Sequence, residues 1–322
     1  MKAYVYGANG AAITDVAKPA PKGTQVLVRV RACGLNRADL GMTKGHAHGS
    51  AGGAGTVLGM EWAGEIAEVG PEAKGVKIGD KVMGSGAAAF AEYTLADHGR
   101  LFRTPSNMNF EDAATLPVAL ATMHNAVVTN GALQAGQSVM IQGASSGVGL
   151  MAMQIAKLKG AKLVVGSSTD ATRRGRLKEF GADLAVDSSD PGWVDQVLNA
   201  TNGEGVDLIV DQVSGKVASQ NLAAARIKGR IVNVGRLGGT HADFNFDLHA
   251  ARRINYIGVT FRTRSIEEIR EIFDEVRKDI WPAVESRKLQ LPIDKVFAFD
   301  DIGRAFEHME ANRHLGKIVV TL

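Results

Sequence analysis

Residues 137–149 read QSVMIQGASSGVG, and the run LMAMQIAKLKG follows them. Val139, Met140 and Ile141 form an unbroken apolar run, which predicts a short buried strand over 138–142. Only small residues come next (Gly143, Ala144, Ser145, Ser146 and Gly147), after which Val148, Ala152, Ile155, Ala156 and Leu158 recur at helical spacing. A strand that ends in a small-residue turn opening a helix can hold a pyrophosphate. Backbone N–H groups at the helix start point at the anion, and small side chains let it come close. The stretch departs from G-x-G-x-x-G, because Ala144 and Ser146 stand at the first two glycine positions and only Gly149 keeps its place. Its weight therefore comes from its setting.

Outward from this turn, SVMIQG, KLVVGSS, LAVDSS, VDLIVDQV and GRIVNVG read as strands, with helices predicted near 148–160, 171–180, 191–201 and 215–227 and a sixth strand over 255–260. That alternation predicts an α/β fold with a doubly wound parallel sheet. Residues 1–120 have a different texture. QVLVRVRACG alternates, and LGMEWAGEIAEVG, GDKVMGSG and FAEYTLADHGRLFRTP follow between glycine turns, which predicts a mostly β domain. Helices are expected over 110–116 and 120–130, an amphipathic helix over 265–286, and a closing strand in KIVVTL. The segment after 258 is too short to stand alone. The expected organisation is a β-rich domain made of 1–120 and 259–322, into which a nucleotide domain of 121–258 is inserted. Gly45–Gly55, GHAHGSAGGAG, reads as a mobile loop.

At 322 residues the chain can bury two sizeable cores, and its 45% hydrophobic and 22% charged content is that of a globular protein. A net charge of +3 with dispersed basic residues argues against a nucleic-acid partner. The single cysteine excludes a disulfide framework and a multi-cysteine zinc site. The opening MKAYVYG has no charged start and apolar core of a signal peptide, and no apolar run approaches a membrane span, so the cytoplasm is the default compartment.

Dinucleotide folds that prefer NAD carry Asp or Glu at the end of the second strand, about 20 residues past the glycine turn, to hold the ribose diol. Here that strand ends VVGSSTDATRRG, with Ser167 and Ser168 at its tip and Arg173 and Arg174 just beyond. Hydroxyl and guanidinium groups suit a 2′-phosphate, so NADPH is the expected cofactor. The plain alternative is that both arginines only solvate a helix start, and Asp170 is the residue that could reverse the preference.

Three stretches, RACGLNRADL, VMIQGASSGVGLMAMQIAKLKGA and HMEANRHLGKIVVTL, carry a resemblance that extends over essentially the whole chain. The chain resembles the zinc-independent, zeta-crystallin-like quinone oxidoreductases of the medium-chain dehydrogenase/reductase superfamily, nearest to the tumour-suppressor-inducible branch. The resemblance implies a GroES-like catalytic domain enclosing a Rossmann domain, a homodimer or homotetramer, and NADPH:quinone reduction. It places Asn36 and Asp39 of GLNRAD and Thr122 at the nicotinamide end, as the catalytic candidates. Ser145, Ser146, Gly147 and Val148 fall at the pyrophosphate turn, Ser167, Ser168 and Arg173 at the adenosine phosphate, and Val213, Gly235, Arg236, Asn312 and Lys317 elsewhere along the cofactor. Ser188 stands where many relatives have a tyrosine beside the adenosine phosphate, and the Gly45–Gly55 loop lacks the aromatic residues that line the acceptor site in several of them.

Zinc-dependent cousins carry a first metal ligand at the position of Cys33 and a His-Glu pair where this chain has Met60-Glu61. A thioether is a poor substitute for imidazole at zinc, so no catalytic metal is expected, and Cys33 reads as a small buried hydrophobe. His46 and His48 in the glycine loop are a weak alternative ligand pair. Without a Lewis acid, the fitting acceptor is already electrophilic: a quinone or an activated carbonyl. Asn36 can donate a hydrogen bond to a carbonyl oxygen gaining charge, or can simply be a turn residue. An enoyl or 2-alkenal reductase on the same scaffold needs a proton at the α-carbon, which His46, His48 or His124 could supply. A non-catalytic structural or RNA-binding role is the alternative of a different class.

Overall fold

A computed structural model describes residues 1–47, 49 and 52–322. It divides into two compact units, one formed by Met1–Ala121 with Phe261–Leu322 and the other by Thr122–Thr260.

The second unit is built on six parallel strands. Across the sheet they run Leu184–Val186, Leu163–Ser167, Ser138–Gln142, Val206–Asp211, Ala225–Asn233 and Asn255–Gly258. In chain order that is third, second, first, fourth, fifth, sixth, with every adjacent pair parallel. The order reverses beside Ser138–Gln142, the crevice where open α/β sheets bind ligands. The central strands read as continuous apolar runs because helices cover both faces: Val139, Met140, Ile141, Ile209 and Val210 are all fully buried. Met140, Val165, Trp193, Ile209, Leu222 and Ile231 share one core cluster. The doubly wound α/β class expected from the sequence is therefore the one observed.

In the first unit, a larger sheet runs Ile293–Ala298, Lys317–Thr321, Gln25–Gly34, Glu61–Val69, Lys81–Ser85 and Leu101–Arg103, with Tyr93–Asp97 also pairing with Gln25–Gly34. The tail strand Lys317–Thr321 thus lies beside one of the first strands, antiparallel to it. Trp62, Phe90, Leu35 and Ile66 fill the core beneath, and Phe306 stacks on Tyr4 with ring centroids 5.7 Å apart.

Several element boundaries differ from expectation. The amphipathic helix predicted over 265–286 is two helices, Ile266–Asp279 and Trp281–Glu285. Ser265 and Glu268 form a capping box that starts the first. Pro282 lacks an N–H and crowds the preceding turn, so the chain breaks at Ile280 and restarts with proline in its first turn. The helix predicted over 215–227 is shorter, Ala218–Ala224, and Ala225 already begins a strand. Positive φ at Ser214 and Gly215 delays its start. The helix predicted over 120–130 begins at Pro117 and continues past His124 as a π-helical stretch, Asn125–Asn130. Among the described residues, no helix is long and apolar enough to cross a membrane.

Candidate active site

In the second unit, the turn after Ser138–Gln142 brings the expected phosphate-binding residues to the start of helix Gly147–Leu158. Ser146 is the N-cap: its hydroxyl accepts from the Gly149 N–H at 3.1 Å and lies 2.9 Å from Gln212 Oε1 and 3.0 Å from the Gly143 carbonyl. The first N–H groups of a helix have no intrahelical partner; here that of Gly149 is taken by the Ser146 cap, which leaves those of Gly147 and Val148 to whatever occupies the turn. The cradle is shaped for close approach. Gly143 has φ +72°, and a Cβ on Gly149 would fall 2.7 Å from backbone atoms of Ala144 and Gly143. Both features fit a pyrophosphate.

At the end of the second strand, Ser167 is fully buried and donates to Gln142 Oε1 at 2.6 Å, while Ser168, 5% exposed, donates to Ser145 Oγ at 3.1 Å. The two arginines beyond are not equivalent. Arg174 donates to the Ser168 carbonyl and to Asp187, at 2.8 and 2.9 Å. Arg173 lies in helix Ala171–Arg176 with its Nε 3.6 Å from Asp170. Asp170 is occupied as the N-cap of that helix and accepts from the Arg173 N–H. These hydrogen bonds hold its carboxyl below the usual range. Its capping role draws the carboxylate toward the helix start.

Val213 follows Asp211 and donates its N–H to that carboxylate at 2.8 Å. The Gly235 carbonyl accepts from Ser214 Oγ at 2.7 Å, and a Cβ on Gly235 would fall 2.6 Å from the Gln212 carbonyl. Arg236 reaches back to the Val234 carbonyl. Thr122 lies in the second half of helix Pro117–His124, followed by His124, which is 2% exposed.

In the first unit, Asn36, Asp39 and Lys317 come together, and Glu61 joins them. Lys317 Nζ contacts Glu61 Oε1 and donates to Asn36 Oδ1 at 3.0 Å, and Asn36 Nδ2 donates to Glu61 Oε1 at 2.9 Å. The second Glu61 oxygen accepts from the Val118 N–H at 3.0 Å. Asp39 accepts from the Asn36 N–H at 2.8 Å, while its other oxygen, Oδ1, has no partner. Glu61 and Asp39 are fully buried and Lys317 is 4% exposed. Asn312 lies elsewhere: its side-chain oxygen accepts from Arg37 at 2.7 Å.

Two carboxyls therefore share one ammonium in a dry site. Burial pushes Asp39 up to about 7, only partly opposed by the Asn36 N–H and by Lys317. With Asp39 protonated the cluster is neutral. Because this folded-state pKa lies above the unfolded one, the stabilisation is complete below about pH 4 and is lost as pH rises through 7, on the order of 4 kcal/mol in all. Thermal melts of Asp39→Asn should therefore show a much weaker fall in melting temperature between pH 5 and pH 8 than wild type. An unchanged slope would contradict the assignment.

Cys33 is fully buried, donates to the Ala89 carbonyl at 2.9 Å, and has its thiol pushed well up by burial and by Asp39 and Glu61. His46 donates its N–H to the Gly41 carbonyl, whereas His48 lies outside the described residues. Among the described residues, no group of three or more His, Cys, Asp or Glu side chains is arranged to hold a metal.

Sequence reading missed Glu61 as the partner of Asn36 and Lys317, and missed Gln142, Asp211, Asn221 and Asp187 altogether. A signal for some of them was present: the apolar strand runs SVMIQ and VDLIVD each end on one polar residue.

Residues 147–278 match the zinc-binding dehydrogenase family model, and residues 22–106 match the alcohol dehydrogenase GroES-like domain. The chain is 27% identical over 312 residues to quinone oxidoreductase of Homo sapiens, covering 96% of this chain and 92% of that protein. It is 29% identical over 312 residues to a phenolphthiocerol/phthiocerol polyketide synthase of Mycobacterium tuberculosis, covering 96% of this chain but spanning only 14% of that protein. An alcohol dehydrogenase superfamily protein from Novosphingobium aromaticivorans superposes with a TM-score of 0.88 at 29% identity, covering 100% of this chain and 99% of that one. With both family models matched in sequence order and the fold shared along its whole length, the chain belongs to the medium-chain dehydrogenase/reductase superfamily.

Proposed function

We propose that this chain is an NADPH-dependent oxidoreductase that reduces a quinone without zinc. The observation that carries the reading is the second-strand tip. Ser168 and Arg173 stand where an NAD-preferring site needs an acidic residue, beside a helix-start cradle of small residues. When bound, the cofactor supplies the hydride. Ser145, Ser146, Gly147 and Val148 hold the pyrophosphate with backbone N–H groups, and Ser168 and Arg173 hold the 2′-phosphate. Val213, Gly235 and Arg236 line the sheet edge along the remainder of the cofactor.

The donors at the expected metal position do not fit zinc. Cys33 is a high-pKa thiol engaged with a carbonyl, Met60 replaces an imidazole, and both oxygens of Glu61 are taken, with Lys317 already present as the counter-cation. Asn36 is the residue assigned to the acceptor. One hydrogen of its amide is held by Glu61, and the other makes only a 3.5 Å approach to the Gly34 carbonyl, so it can turn to an acceptor oxygen gaining charge.

Steady-state NADPH oxidation over a panel of 1,4-quinones and 2-alkenals, with and without a metal chelator, tests this reading. The expected result is at least about a tenfold higher kcat/KM for quinones, unchanged by chelation. A preference for alkenals assigns the enoyl-type reaction instead, and loss of activity with chelator overturns the metal-free reading.

A further inference from the structure

In the second unit, neighbouring strand ends are joined sideways by side chains. Asp211 Oδ1 accepts from the N–H groups of Val213 and Ser214, both at 2.8 Å, and Oδ2 accepts from Asn221 Nδ2 at 3.0 Å. Asn221 Oδ1 accepts from Gln142 Nε2 at 2.8 Å. Gln142 Oε1 accepts from the Ser167 hydroxyl at 2.6 Å, and Ser167 Oγ accepts from the Gly143 N–H at 3.0 Å. Asp211, Asn221, Gln142 and Ser167 are all fully buried, so solvent does not substitute for any link.

This hydrogen-bond relay has a direction, and one end sets it. An ionised carboxylate can only accept, so Asn221 must turn its NH₂ toward Asp211 and its oxygen toward Gln142. Gln142 must then donate to Asn221 and present its own oxygen to Ser167. A serine has one proton, and here it is directed into the sheet. We infer that Asp211 fixes this direction. Ser167 is thereby a positioning residue, holding the Gly143 N–H at the nucleotide turn, and is not a donor to the cofactor 2′-phosphate. Choice between NADPH and NADH then falls to Ser168 and Arg173. The inference rests on the nucleotide-site reading above and narrows which residues decide its specificity.

A cofactor-free thermodynamic cycle tests the direction. At pH 8.5, Gln142→Glu places a second acceptor-only group across Asn221 from Asp211, and the melting temperature should fall by about 5 °C or more. Adding Asp211→Asn should restore at least half of that loss. The introduced amide can donate to Asn221, which then donates to the new carboxylate, and that carboxylate still accepts from Ser167. Additive destabilisation by the two substitutions would overturn the proposed direction.

Titration with each coenzyme tests the consequence. Ser167→Ala should weaken NADPH and NADH by the same factor. Arg173→Ala should weaken NADPH at least about tenfold more than NADH, as expected for a charge-assisted hydrogen bond. A tenfold change in the NADPH:NADH ratio with Ser167→Ala would overturn the positioning role. If wild type binds neither coenzyme, the nucleotide reading fails, and the melting cycle still decides the direction of the relay.

Discussion

Replacing Lys317 by methionine is expected to lower the melting temperature by about 10 °C at pH 8, corresponding to about 3–5 kcal/mol for a buried ion pair that loses one partner. Lys317 is 4% exposed and is the cation in contact with Glu61, which is fully buried. Methionine matches much of the lysine stem but leaves Glu61 and Asp39 facing each other without compensation. Glu61 then gains most by taking up a proton, so the loss should be smaller at pH 5 than at pH 8. Glu61→Gln on the same background should recover part of the stability, because the amide removes the uncompensated charge. Differential scanning calorimetry of the single and double variants at both pH values measures this. A melting temperature for Lys317→Met within a degree or two of wild type at pH 8 would show that the pair is not holding the site.

The second large effect is expected at Gly149. A Cβ there meets Ala144 Cα, Ala144 O and Gly143 O, each at 2.7 Å, and all three are backbone atoms that cannot swing aside. Gly149→Ala must therefore push the turn and the helix start apart. Overpacking of this kind costs about 1–3 kcal/mol, and because the displaced atoms belong to the proposed phosphate cradle, NADPH affinity should fall by about 10- to 100-fold. Gly303→Ala is the control: a Cβ at Gly303, in helix Ile302–Glu310, has nothing within 4 Å. That variant should retain coenzyme affinity. Equal affinities for both variants, by fluorescence titration, would show that the close approach at Gly149 does not shape the nucleotide turn.

The fold class was legible because its signals are local. Val139-Met140-Ile141 is apolar without interruption because both faces of that strand are covered, and Gly143–Gly149 is small because the backbone turns tightly there. Pro282 was a visible breaker inside a strongly amphipathic pattern, and the helical periodicity on either side of it masked the interruption. The polar cluster was less legible. Asn36 and Lys317 were singled out by resemblance, but nothing near either one indicates Glu61, which is 256 positions from Lys317 and meets it only through strand pairing. Likewise, Ser167 looks like a surface hydroxyl at a strand tip until Gln142 and Asn221 are seen beside it in space. Side-chain partners across a sheet depend on register, which no single segment encodes.

The strand Lys317–Thr321 sits between Ile293–Ala298 and Gln25–Gly34, in the interior of its sheet. Asn36, just beyond the earlier strand, and Lys317 are 281 positions apart. At a synthesis rate of about 5–20 residues per second, roughly 15–55 s pass between their emergence from the ribosome. Thr122–Thr260 is contiguous and can close during that interval. Tyr93–Asp97 can already pair with residues 25–29 of the earlier strand, so it is the end of that strand, residues 32–34, that must meanwhile wait with one side of its ladder open. Assembly of this unit therefore passes through a short strand edge that stays open for that interval, a place where a nascent β-rich chain is open to chaperone capture or to pairing with another copy.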